Sequence, residues 1–267
     1  MEENLKILIK EKSDKGILRL IMNNLDQKNA LSENMMSILM DEIKGASSDQ
    51  SIKVIVIAAK GNVFCSGHNL KEITAAREND DSGEAYFKNL FDACSSLMQL
   101  IVSIPQPVIA EVDGVATAAG CQLVASCDLA YSTKDALFAT PGVNIGLFCS
   151  TPMVAVSRKI NRKPMMKMLL TGEPIKASFA KEIGLINDCY SSSKLDLEVL
   201  KVAEIIASKS NLTIKIGKQA FYKQLEMPLK KAYAYTSKMM TVNMMAMDAR
   251  EGISAFLEKR KPNWKNK

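Results

Sequence analysis

Pro107-Val108-Ile109-Ala110-Glu111-Val112-Asp113-Gly114, followed by Ala118-Ala119-Gly120-Cys121-Gln122-Leu123, decides how this chain folds. The first run reads as an apolar strand closed by a tight Asp-Gly turn, and the second as small residues opening a helix. The first N–H groups of a helix have no intrahelical partner. Small residues leave them bare, so this opening can stabilise a carbonyl oxygen that gains negative charge.

Upstream, Gly16–Met22 reads as a strand ending at Asn23-Asn24. Ser32 is placed to cap a helix that carries Met35, Met36, Leu39, Met40 and Ile43 on one face. Lys53–Ala59 is short, apolar and β-branched, hence a buried strand, and Gly61–Asn69 is read as a loop. Apolar residues from Phe87 to Ile101 recur at helical spacing and predict a helix over 84–102.

Downstream, short strands are expected at Leu129–Tyr131 and Leu137–Ala139. Helices are expected from a Thr151 cap, over Pro164–Leu170 before Gly172, and over Ala177–Ile183 before Gly184. From Leu195 the chain reads as helix, broken near Ser210 and Pro228. Strand–strand–helix units thus run to about residue 190, giving an α/β class with an all-helical remainder. The expected division is a core over 1–190 and a helical region over 191–267.

Composition narrows the function classes. The chain has 267 residues and a net charge of +6 that forms no nucleic-acid-binding stripe. No apolar stretch approaches the roughly 20 residues of a membrane span. Six cysteines without a Cys-x-x-Cys pair, and a single histidine, make a metal site built on histidine very unfavourable. Met1–Lys6 has neither a signal-peptide nor a transit-peptide pattern, so the expected compartment is the cytoplasm.

The run from Pro107 to Leu123, together with Phe64-Cys65-Ser66-Gly67-His68-Asn69-Leu70-Lys71-Glu72, resembles the enoyl-CoA hydratase/isomerase (crotonase) family over nearly the whole chain. The resemblance implies a spiral of ββα turns and a C-terminal helical extension that covers the ligand and builds a homotrimer or a dimer of trimers. It implies an acyl-CoA thioester as partner, with CoA part of the substrate and no separate cofactor. It also implies that the backbone N–H groups of His68 and Ala119 form an oxyanion hole. The His68 ring either packs nearby or serves as a proton shuttle or carboxylate contact.

The family's two catalytic glutamates are absent. Their positions are Gln122, an amide that takes no proton at physiological pH, and Gly142 in Phe138-Ala139-Thr140-Pro141-Gly142. Cys149 is either a base or nucleophile, which would need a depressed pKa, or a small pocket-lining residue. Efficient hydration is therefore not expected. The remaining readings are decarboxylation of a malonyl-type thioester, slow hydratase or isomerase activity, or a non-catalytic acyl-CoA-binding protein. On the ligand side, the Asn29-Ala30-Leu31 turn resembles the segment along the CoA pantetheine and adenine. Leu70 and Lys71 flank the first loop, and Lys259 matches a lysine that approaches CoA phosphates. Met239, Met240, Met244, Met245 and Met247 are read as helix core or subunit contact rather than a substrate channel.

Overall fold

The computed structural model describes residues 7–267. A hairpin of β1 (Leu8–Lys12) and β2 (Ile17–Met22) precedes α1 (Glu33–Ser48). Three strand pairs follow: β3 (Val54–Ala59) with β4 (Val63–Cys65), β5 (Val108–Val112) with β6 (Val115–Thr117), and β7 (Leu129–Thr133) with β8 (Leu137–Ala139). Helices separate the pairs. α2 (Leu70–Ala76) and α3 (Glu84–Ser103) follow β4, α4 (Ala119–Ser126) follows β6, and α5 (Ser150–Val156) and α6 (Arg162–Thr171) follow β8. Then come β9 (Ile175–Lys176), α7 (Ala177–Glu182) and β10 (Asp188–Tyr190). The chain closes with α8 (Ser192–Ala207), α9 (Asn211–Leu225), α10 (Leu229–Met244) and α11 (Met247–Leu257).

Each strand pair gives its first member to one sheet and its second to another. The larger sheet runs β1-β2-β3-β5-β7-β10 and the smaller runs β4-β6-β8-β9. Contacts from β2 to β10 are parallel, as are those joining β4, β6 and β8. The result is the expected α/β spiral of ββα units with helices at its C-terminal end.

Burial follows from this winding. The methionine and leucine face of α1 packs with Leu90, Cys94, Leu97, Met98 and Ile101 of α3 in the main core. Ser32 caps α1 by accepting from the Met35 N–H at 3.1 Å. The outer face of the larger sheet carries Ile17, Val54, Val56 and Ile109, which Leu195, Val199 and Ala203 of α8 cover. Thus α8, the first helix beyond residue 190, completes the sheet.

α9 is tied down by a buried ion pair. Lys218 Nζ, on a side chain only 5% exposed, donates to Asp128 Oδ2 at 2.7 Å. It also donates to the carbonyls of Ile101 and Gln106, while the Tyr222 hydroxyl donates to Asp128 Oδ1.

Several local expectations change. The 61–69 loop contains β4, and β1, β6, β9 and β10 are additional strands of two to five residues, too short to show a periodicity. α5 starts before Thr151, with Cys149 at its cap position and no side-chain cap bond. The helical tail has a third break at Met245–Ala246, and helix stops at Leu257. Met240, Met244, Met245 and Met247 are exposed, which removes the helix-core reading for them.

Candidate active site

Three loops leave the C-terminal ends of the parallel strands β4, β6 and β8, side by side. This is the end at which parallel α/β sheets gather ligand sites. They carry His68, Ala118-Ala119, and the run from Thr140 to Cys149 respectively.

The first two loops are locked together. Gly67 has φ 93°, and a Cβ there would lie 3.0 Å from the Ala118 Cβ and 3.5 Å from the Ala119 nitrogen. A Cβ on Gly120 would collide with the Cys65 carbonyl oxygen. Ala118 has φ 50° and ψ −118°, a region that costs a non-glycine residue about 1–3 kcal/mol. Its N–H donates to Ala139 O at 2.9 Å and its carbonyl accepts from Gln122 N at 3.0 Å.

These bonds orient the amides. In a planar trans peptide the C=O and N–H point in opposite directions. The Ala118 carbonyl points along α4, so the Ala119 N–H points out of its start. The Gly67 carbonyl accepts from Leu31 N at 2.7 Å, so the His68 N–H points away from Leu31. Among the described residues, neither amide has an acceptor.

Around them, His68 Nδ1 lies 3.4 Å from the Leu31 carbonyl oxygen, and its ring meets Phe91 edge-on at 5.6 Å. His68 Nε2 is buried and, among the described residues, has no partner. Burial holds the imidazole below its usual pKa, against a smaller opposing effect of the Leu31 carbonyl. Gln122 is 3% exposed, and its Oε1 faces the Cys94 thiol at 3.8 Å.

Gly142 is boxed in. A Cβ there would lie 2.9 Å from Leu147 O, 3.0 Å from Cys149 Sγ and 3.3 Å from Cys149 N. The Gly142 N–H donates to Cys149 Sγ at 3.3 Å. Burial pushes the Cys149 thiol up despite that bond, which keeps it protonated near neutrality and disfavours the base or nucleophile role.

The remaining positions divide into two groups. Ala30 and Leu31 are buried beside the first loop. Asn29 holds this segment in place, donating to the Lys60 and Val63 carbonyls and accepting from Asn24 N. Leu70 and Lys71 open α2 on the surface. Lys259 follows α11 with φ 55° and is exposed. Among the described residues, no hydrogen bond or ion pair draws either lysine ammonium towards the loops. Sequence reading did not single out the Leu31 carbonyl, Phe91, Cys94 or strained Ala118 as parts of the site. Of these, only Phe91 and Cys94 left a signal, their helical spacing on α3.

A family model described as Enoyl-CoA hydratase/isomerase matches residues 12–267. The chain belongs to the enoyl-CoA hydratase/isomerase family. It is 47% identical over 249 residues to Enoyl-CoA hydratase domain-containing protein 3, mitochondrial, of Xenopus laevis, covering 93% of this chain and 83% of that protein. The crystal structure of human enoyl coenzyme A hydratase domain-containing protein 3 superposes with TM-score 0.92 at 44% identity, covering 97% of this chain and 100% of that one. An enoyl-CoA hydratase structure from Mycobacterium smegmatis gives TM-score 0.92 at 43% identity, covering 97% and 98%. The family processes acyl-CoA thioesters, and the ββα spiral is its fold.

The relative's printed compartment overturns the cytoplasmic expectation. That expectation rested on Met1–Lys6, which lie outside the described residues. A targeting address is read by receptors and leaves no mark on the fold.

Proposed function

We propose that this chain binds an acyl-CoA thioester with its carbonyl oxygen between the N–H groups of His68 and Ala119, and stabilises the thioester enolate there without paired carboxylates. The observation that carries this reading is the strained Ala118 backbone, which turns a free amide outward beside Gly67. Strain of this kind persists only where the surroundings over-determine it, and it clusters at functional sites. Loss of one such donor typically costs about 10²–10³ in rate.

Hydration by the usual route is not supported. Gln122 orients or hydrogen-bonds but transfers no proton, and Gly142 has neither a side chain nor room for one. Two routes reach the enolate without carboxylates: loss of CO₂ from a malonyl-type thioester, or removal of an α-proton by another base.

Ala30 and Leu31 line the CoA chain in this reading, and Lys71 and Lys259 meet its phosphates. CoA enters as part of the substrate, with no resident cofactor. The exposed Met245 and Phe256 favour a homotrimer or dimer of trimers, and the relatives' printed compartment favours the mitochondrion.

The test is infrared spectroscopy of a bound thioester labelled with ¹³C at its carbonyl, with mass-spectrometric product analysis on enoyl-CoA and malonyl-type CoA. A carbonyl band moved to lower frequency is expected. An unshifted band would refute the hole, and efficient gain of water would restore a hydratase.

A further inference from the structure

β2 and β5 each carry one charged residue, Arg19 within Ile17–Met22 and Glu111 within Val108–Val112. Side chains alternate along a strand, so Arg19 shares the outer face with Ile17, and Glu111 shares it with Ile109. That face is the one α8 covers. Arg19 Nη2 donates to Glu111 Oε1 at 2.6 Å, from side chains 24% and 10% exposed. Glu111 Oε2 and Arg19 Nε are buried and, among the described residues, have no hydrogen-bond partner. A buried carboxylate with one of its oxygens unsatisfied is costly to keep ionised.

The surroundings add to that cost. Arg19 is the cation that acts on Glu111, whereas Asp196 of α8 and Asp113, just past the end of β5, act on it with negative charge. Asp113 is held beside the start of α8, where its Oδ2 accepts from the Ser192 hydroxyl at 3.3 Å. β3, which lies between β2 and β5, presents Val54 and Val56. β7 presents Tyr131, in register with Glu111 and stacked on Tyr190 of β10. The other charges along α8 are engaged elsewhere or exposed: Glu198 pairs with Lys201, Glu204 pairs with Lys15, and Lys194 faces solvent. At the far end, Lys53 donates to the Ala207 carbonyl.

We propose that Glu111 makes the docking of α8 proton-dependent: α8 sits more tightly on the protonated carboxyl than on the carboxylate, and lifts from the larger sheet more often as pH rises. Protonation removes the buried charge and its repulsion by Asp196 and Asp113, at the expense of part of the Arg19 contact.

The sign follows from linkage. Burial raises the Glu111 carboxyl above its ordinary 4.5 by more than Arg19 lowers it, and Asp196 and Asp113 add to the rise. When α8 lifts, water reaches the carboxyl and the ordinary value returns. The docked state therefore holds the proton more tightly. Docking is tightest below pH 4.5 and loosens as pH rises through the raised value, by about tenfold per pH unit at most.

The experiment is hydrogen–deuterium exchange of the full chain between pH 4.5 and 8, read by mass spectrometry on peptides from α8 and corrected for intrinsic exchange rates. Wild type is compared with Glu111→Gln, which is neutral throughout and keeps an oxygen for Arg19, and with Asp196→Asn on the exposed side of α8. Protection of α8 in wild type is expected to fall about three- to tenfold over this range. Glu111→Gln is expected to hold it level and above wild type at pH 8, and Asp196→Asn to raise it at pH 8 by a smaller factor. Wild-type protection that is level or rises with pH overturns the proposal. So does the same fall in Glu111→Gln, or a loss of protection in Asp196→Asn.

Discussion

Replacing Gly142 by alanine adds one methyl group to a space that the chain has already filled. The new carbon would meet Leu147 O at 2.9 Å, Cys149 Sγ at 3.0 Å and Cys149 N at 3.3 Å. Carbon contacts are comfortable at about 3.5–4.0 Å, so roughly half an ångström must be found against three atoms, two of them backbone. Overpacking of this kind costs about 1–3 kcal/mol. Moving Cys149 away also weakens the Gly142 N–H bond to its sulfur, worth about 0.5 kcal/mol or more. The expected loss is about 2–3 kcal/mol, or about 4–5 °C in Tm at this chain length. Urea unfolding at fixed protein concentration measures it, and Cys149→Ala in the same background should recover about 1 kcal/mol through coupling. A Gly142→Ala variant within about 0.5 kcal/mol of wild type would refute the reasoning, as would a loss indifferent to Cys149→Ala. The same crowding predicts that Gln122→Glu combined with Gly142→Glu gains no efficient hydratase activity.

Three further outcomes are expected. Cys65, Cys94 and Cys121 are pushed by burial from 9.0 to about 12, so their stabilising contribution is complete below pH 9 and is lost as pH rises towards 12. Between pH 8 and 10 each thiol ionises only in the unfolded chain, costing about 1.4 kcal/mol apiece. The urea midpoint should fall accordingly, and one unchanged at pH 10 would contradict the burial. Asp128→Asn leaves Lys218, 5% exposed, without its counter-charge and should cost about 3–5 kcal/mol, whereas Tyr222→Phe should cost about 1. Comparable urea-unfolding losses for the two variants would show that the ion pair is not the main tie. Ala118→Gly relieves a positive φ at a price of extra unfolded-state freedom, so its unfolding free energy should match or exceed wild type; a loss above about 1 kcal/mol would count against the strain.

The α/β order was legible because its long elements are strongly periodic. Met35, Met36, Leu39 and Ile43 declared α1, and the β-branched run at Lys53–Ala59 declared a central strand. The second sheet was harder to read, since β4, β6 and β8 have three residues each and take their identity from neighbours far along the chain. At the site, the sequence showed Gln122 and Gly142 where the resemblance implies glutamates. Residue types did not reveal that the space at Gly142 is closed, which depends on Leu147 and Cys149 folding back. Nor did they indicate that the His68 ring turns to the carbonyl of Leu31, 37 residues away. Backbone atoms carry much of this site, and side-chain identity says little about where they point.

The bond between Lys218 and Asp128 spans 90 residues. During synthesis at about 5–20 residues per second, Asp128 therefore waits about 5–20 s for its partner. Throughout that interval the carbonyls of Ile101 and Gln106 also lack the ammonium that later satisfies them. The outer face of the larger sheet likewise lacks α8 until the chain has grown past Ala207. The nascent protein consequently carries the loops of the candidate site on an uncovered sheet. Exposure of these groups ends when α9 emerges and docks.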